Sequence, residues 1–441
     1  MKKITLLAAF AVVVSNVGVE AALTPLGSEY PVVGNISGHQ QNPHLSIGAN
    51  GGYVVWQNAT DDSKGERVLA TRLSPDFQGV GGAIVVSQNL AQNNETNPRV
   101  AVLPDGGAFV TWQSGARSST DIYYRVLNRS GTTSTAIQRA NTFESGIQSD
   151  PDVAVLSSGE VLVVWMSLGQ DGDGMGIFGQ RFTASGNPVG AEFRISQTAA
   201  RNQSKPVVIA LKGDKFMVAW IAESVNGRNT SGAQNLRANV MGRMFNGSGV
   251  ALGNEYRLND GDVVSSQVEL AADSEGGFVA AWVQQDESNM NNYSDVHVKT
   301  FNANGLPASK GIRQNTYLKG RQEDPGLAVI GSDALVAWTS HGQDAGGAGI
   351  QGRLVSGGTE FQVNLQGNLH QRHPAAGSDG ANKYVAVWVN TIRADHSILA
   401  AQRYITSTGA VSEGVKDVTQ GEITVVDAEE RRRVNQSLTS K

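Results

Sequence analysis

Cysteine is absent from the 441 residues, so no disulfide framework or Cys-ligated metal centre holds this chain, and no acylated N-terminal cysteine tethers it. Charge is also sparse, at 17% of residues with a formal net charge of −5. That excludes the basic face that phosphate neutralisation demands, and nucleic acid is not an expected partner. No apolar run approaches the roughly 20 residues that cross a bilayer. The one apolar stretch of note, Ile4 to Val14, follows Lys2 and Lys3 and precedes small residues at Val19 and Ala21. This is the layout of a secretory signal over residues 1–21, cut near Ala21 or Ala22. Its removal leaves a net charge of −6 and no transmembrane segment, so a secreted, periplasmic or cell-surface location is expected. Nucleophile elbow, HExxH and Walker-type phosphate loop are all missing. Gly174 to Gly179 does match GxGxxG, but the pattern ahead of it and behind it is strand, with no helix to hold a pyrophosphate.

What the chain does have is 52 glycines and seven tryptophans, and both are spent on one repeated unit. Its clearest copy runs from Pro98 to Gln113, PRVAVLPDGGAFVTWQ. Each copy has an opener, a short apolar segment, a Gly-rich turn and a second apolar segment ending in Trp56, Trp112, Trp165, Trp220, Trp282, Trp338 or Trp388. The openers are Pro43, Pro98, Pro151, Pro206, Pro325 and Pro374, with Gln267 read as the stand-in in repeat five, 13 to 15 residues before each tryptophan. Asn50-Gly51-Gly52, Asp105-Gly106-Gly107 and Glu275-Gly276-Gly277 are tight hairpin signals. The second segment is apolar on both faces, as in Val161 to Trp165, which places it inside a stack of sheets. A cation recurs on the third segment at Arg72, Arg125, Arg181, Arg243, Lys299, Arg353 and Arg403. Recurrence in every repeat predicts a packing role, with the head group donating to the carbonyls or acid of its lower hairpin turn.

Four short antiparallel strands per unit, repeated seven times at spacings of 50 to 62 residues, predict an all-β fold, a seven-bladed β-propeller of four-stranded antiparallel blades. PDVAVLSSGEVLVVW at 151–165 followed by GQDGDGMGIFGQRF at 169–182 resembles the PxVAxLxDGGFVVAW and GQDGxGxGIFGQRF repeat of secreted bacterial propeller proteins. The resemblance spans about residues 28–420 and implies an extracellular binding or adhesion role. Residues 22–27 read as a linker, 28–420 as the propeller and 421–441 as a polar tail. Two segments compete to complete the last sheet, 28–34 and about 411–419, and the N-terminal one is preferred because it ties the ring shut.

Function is expected on the face that carries the variable loops following the tryptophans. Just before the openers lie Asn42, Asn97, Asp150, Lys205, Ser266, Asp324 and His373. Of these Asp150, Lys205, Asp324 and His373 are ligand candidates at the channel mouth. Ring closure would also bring His39, His370 and His396 towards His373, making a surface fit for zinc, copper or a pH-dependent ligand. Asp171 and Asp173, one residue apart among glycines, suit an oxygen-coordinated calcium, though the twelfth loop position is Phe182 and not the glutamate of an EF-hand. The expected partner of this monomer is an extracellular protein or glycan. Two rival readings are a lectin-like carbohydrate binder and a polysaccharide hydrolase or lyase with its acids at the channel mouth.

Overall fold

The computed structural model describes residues 22–34, 36–59, 65–88, 94–116, 118–228, 234–287, 292–365, 367, 369–393 and 396–407. The expected signal segment, the 411–419 strand and the tail lie outside them. The described chain is all-β, and each sequence repeat folds into strands joined in sequence order. Repeat three shows the pattern, with Gln148–Val155, Val161–Leu168, Met175–Phe182 and Pro188–Arg194 forming one four-stranded antiparallel sheet. Its hairpin turns at Gly159, whose φ of 84° only glycine adopts without strain. First strands from every repeat line one central channel, so the sheets stand around an axis as the blades of a β-propeller do.

The tryptophans cement neighbouring sheets. All seven are at most 1% exposed, and each lies in an apolar cluster shared with the preceding repeat. Trp165, for example, joins Val153 and Val163 to Ala101, Phe109 and Tyr124 of repeat two. Trp56 of repeat one is packed with Val385, Val387 and Leu399 of the last repeat, which carries the core round to its starting point. Trp56 buried in this way contributes on the order of 3–5 kcal/mol relative to alanine.

Closure is completed by strand pairing. Ala22–Pro25 runs antiparallel to the last described strand, with Ala22 opposite Ser407 and Pro25 opposite Tyr404. Tyr30 and Pro31 then pair with Ala401 and Ala400. The N-terminal segment therefore occupies the outermost place in the last sheet. Residues 22–25, expected to be part of a linker, are a strand, and within 28–34 the named strand is confined to Tyr30–Pro31. The reason is local. Ala22 to Pro25 meets the outer half of a 12-residue strand, His396–Ser407, whose edge would otherwise stay open.

Four of the third-strand cations hold their own repeat's turns as expected, Arg125, Arg243 and Arg353 donating through Nε to the carbonyls of Thr135, Gly253 and Gly358 and Arg181 lying 3.5 Å from Glu160, and the cations also tie neighbouring repeats together. Arg125 donates to the Val86 carbonyl (2.9 Å), Arg243 to that of Ile195 (3.0 Å) and Arg353 to that of Gln314 (3.0 Å), each on the outer segment of the preceding repeat. Lys299 reaches back to Asp260 (2.5 Å), whereas Arg181 and Arg403 reach forward to the carbonyls of Gly247 and Asp76. A guanidinium on the third strand is long enough to cross the gap between sheets, and the exposed edge carbonyls there need a donor.

Candidate functional site

The openers explain how the channel mouth is built. In repeat three the pairing of first and second strands shifts between Ser149 and Asp152, a bulge in which Asp150 takes a φ of 48° and Pro151, having no N–H, forfeits no ladder bond. Asn42, Asn97, Lys205, Asp324 and His373 adopt the same left-handed conformation, φ 48° to 54°, before their prolines. Six such non-glycine residues around one opening are backbone strain gathered at one place, the usual mark of a constrained site.

Repeat five departs, and this corrects the sequence reading. Val268, not Gln267, stands opposite Trp282 in the proline's place, so Gln267 takes the mouth position that had been assigned to Ser266. The residue after the opener slot is then Glu269, paired with Ala281 just before the tryptophan, as Asp152 is paired with Val164. The same position is His44 in repeat one and Arg99 in repeat two, and Val207, Gly326 and Ala375 in repeats four, six and seven.

Mouth residues form a chain of hydrogen bonds. Asn42 donates to Asn97 (3.5 Å) and Asn97 to Asp150 (2.8 Å). Gln267 donates to Asp324 (2.6 Å), Thr339 to the same carboxylate (3.2 Å), and His373 Nδ1 lies 3.2 Å from it. Burial raises the Asp324 pKa, but the hydrogen bonds and charge of His373, with Gln267 and Thr339, outweigh this and leave it below the ordinary value. Lys205 is exposed at the rim.

Below the mouth, the channel is a cavity of ≈ 750 Å³ whose wall includes His44, Arg99, Asp152 and Glu269. Asp152 Oδ2 accepts from the Val208 N–H at 2.7 Å, and Oδ1 is 3.7 Å from Arg99 Nε. Burial pushes the Asp152 carboxyl up to about 6, against the pull of Arg99 and of the Val208 and Val153 amides. Glu269 goes further, to about 8, through burial opposed by Arg99 and reinforced by the Asp152 charge. His44 is driven well below its ordinary value by burial and by Arg99, and its Nδ1 accepts from the Val100 N–H at 3.2 Å, so the ring is neutral with its proton on Nε2. The wall thus sets two carboxyls, both raised and Glu269 further than Asp152, beside one guanidinium. Two carboxyls whose surroundings push their titrations apart have the makings of an acid–base pair.

The histidines do not gather round one point. His396 Nδ1 is 3.0 Å from the Gly38 carbonyl oxygen, and the neighbouring Ser397 is paired with His39. His370 lies against Gly347 of repeat six, while His373 is engaged at the mouth with Asp324. His44 is part of the channel wall and not of the loop face. Alternation along each strand, with the bulge between, sends His370 and His373 to different surroundings. Among the described residues no group of three or more His, Asp or Glu side chains converges as a metal site.

The pair expected to hold calcium is likewise divided. The Asp171 side chain is fully buried with Oδ2 3.0 Å from Arg194 Nη2, a cation that already neutralises it. Asp173 accepts from the Arg201 amide at 3.0 Å. The related Asp344 accepts from Gln362 (2.9 Å) and Asn364 (2.8 Å), so this loop acid anchors the outer strand. Taking Gln267 as the opener of repeat five puts Glu269 one residue out of step, whereas counting 13 residues back from the tryptophans sets Arg99, Asp152 and Glu269 in one column, with His44 12 residues before Trp56.

No protein-family model and no curated protein matches the chain. Among solved structures it is similar to a protein of unknown function from Dyadobacter fermentans, at 10% identity over 73% of this chain and 97% of that one, TM-score 0.49. It is also similar to an α-L-arabinanase from Penicillium chrysogenum, at 13% identity over 70% of this chain and 92% of that one, TM-score 0.49. A third is an acylaminoacyl peptidase from Pyrococcus horikoshii, at 12% identity over 82% of this chain and 51% of that one, TM-score 0.48. Likeness at this level carries no functional argument, and the chemistry has to be read from the channel.

Proposed function

We propose that the chain is an exported seven-bladed propeller that binds a carbohydrate in its central channel and hydrolyses a glycosidic bond there. The observation that supports this is the pair Asp152 and Glu269 in one cavity wall, with carboxyls at about 6 and about 8. Hydrolysis of a glycoside needs one carboxylic acid and one carboxylate. In this reading Glu269 gives its proton to the glycosidic oxygen as the bond to the anomeric carbon breaks. Asp152 takes a proton from the attacking water, whose oxygen forms the new bond, and both carboxyls are reset by proton exchange with solvent. Arg99 keeps Asp152 ionised. The mouth amides and acids, Asn42, Asn97, Asp150, Gln267 and Asp324, offer the donors and acceptors that sugar hydroxyls require. The channel is favoured over adhesion through the loop face because the Glu269 carboxyl, in the cavity wall, takes no hydrogen bond from the described residues.

The test is reducing-end release from arabinan, xylan, alginate and cellulose by the wild type, Glu269→Gln and Asp152→Asn. Activity on one of them should fall by at least about 100-fold in each variant, the usual scale for a lost acid or base. The wild-type profile should be bell-shaped, with limbs near the two carboxyl values. Cleavage of none of the four, or full activity in Glu269→Gln, would overturn the assignment.

A further inference from the structure

Among the third-strand aromatics, Phe178 is core and Tyr123 is stacked on Trp112 at 6.5 Å. Tyr293 is different, being 59% exposed. It sits at the start of the third strand of repeat five, where Ser294 pairs in parallel with Arg321 of repeat six and Ser294 Oγ donates to the Gln322 carbonyl at 3.1 Å. This junction is hydrogen-bonded across the two sheets, so the ring is mounted on a fixed base.

The Arg321 guanidinium lies 6.0 Å from the centre of the Tyr293 ring. Two residues on, Glu323 meets His341 Nε2 at 2.7 Å, and the next residue is Asp324 of the channel mouth. Aromatic, guanidinium and carboxylate–imidazole pair therefore run in a row from the rim of the protein to the opening. Among the described residues the surroundings of Tyr293 are polar, with Arg321 exposed and Ser294 and Glu323 half-buried. A protein partner would call for a broader apolar centre. An exposed aromatic face flanked by fixed donors and acceptors matches a sugar ring, which has an apolar C–H face and a rim of hydroxyls.

We propose that Tyr293, Arg321, Glu323 and His341 form an outlying saccharide subsite that holds a sugar residue of a chain whose reacting end is in the channel. One sugar face stacks on Tyr293, with hydroxyls accepting from Arg321 and donating to Glu323. The subsite rests on the glycosidase reading and makes the substrate a chain of several residues, not a disaccharide. Longer substrates should gain affinity from it without gaining turnover, since a contact made equally in the ground state and the transition state lowers KM alone.

The experiment uses the full chain and oligosaccharides of two and six residues prepared from whichever polysaccharide the wild type cleaves. Tyr293→Ala and Arg321→Ala should each raise KM for the hexamer about tenfold, the worth of one good contact, with kcat and the dimer KM unchanged. Tyr293→Phe should stay near the wild type. Glu269→Gln should lose turnover and keep its hexamer affinity in calorimetry. An unchanged hexamer KM in Tyr293→Ala, or an equal rise for the dimer, removes the subsite and leaves the channel assignment standing. Failure of the wild type to bind or cleave any of the four polysaccharides removes both.

Discussion

Replacing Glu269 by glutamine should make the protein more stable, and more so as the pH rises. The carboxyl moves from an ordinary 4.5 to about 8 on folding, chiefly through burial. Below pH 4.5 it is protonated in both folded and unfolded chains and costs nothing. Between 4.5 and 8 the unfolded chain ionises while the folded one does not, so stability is lost progressively as pH rises, and above 8 the loss is complete. Each pH unit of displacement is worth ~1.4 kcal/mol, which sets a ceiling of ~5 kcal/mol. Water in the open channel screens part of this, and ~1–3 kcal/mol is the expected gain of Glu269→Gln at pH 9 relative to pH 4.5. Asp152, raised to about 6, titrates in both proteins and largely cancels in the difference. Urea denaturation of the two proteins at pH 4.5, 6.5 and 9 measures it directly. A stability difference that is the same at all three pH values would refute the burial argument for Glu269, whatever the activity data say.

Arg99→Ala should move the acid limb of the pH–activity profile upward from about 6, because Arg99 is the charge that restrains Asp152; an unmoved limb would mean that Asp152 is not the group being titrated. Deleting residues 22–33 uncovers the edge of His396–Ser407 and removes Val32 from the core. The melting temperature should drop by roughly 5 °C or more, with aggregation visible by light scattering, and a melting curve like the wild type's would show the strand to be dispensable.

The sheet order was legible because it is written in covalent constraints: prolines that cannot donate to a ladder, glycines at left-handed turns, and one tryptophan per unit that fills one interface. The glutamines three residues before some of the openers bind across adjacent repeats, Gln371 accepting from Asn364 (3.3 Å) and Gln40 from the Leu399 amide (2.8 Å). The channel chemistry was not legible. Asp152 and Glu269 sit in strands with other polar residues, QSDPDVAV and SSQVELAA, and what distinguishes them, desolvation and a shared arginine, arises from residues 53 and 170 positions from Arg99 being brought to one wall. The histidines are divided in another way. Ring closure sets His39 beside Ser397, next to His396, while His373 meets Asp324 at the mouth and His370 lies against Gly347.

The pairing of Ala22–Pro25 with the strand that ends at Ser407 also has a bearing on time. Every other sheet is assembled from neighbouring segments, whose loops close quickly, while this one joins the beginning of the described chain to its end. Loop closure over that distance is slow and is the last contact that local pairing can reward. Until it forms, the arc of sheets has two raw ends, the apolar face of repeat one around Trp56 and the bare outer edge of His396–Ser407. The ring is therefore cooperative only as a whole, and a chain interrupted anywhere before His396 is an open arc that can find a second open arc as readily as itself.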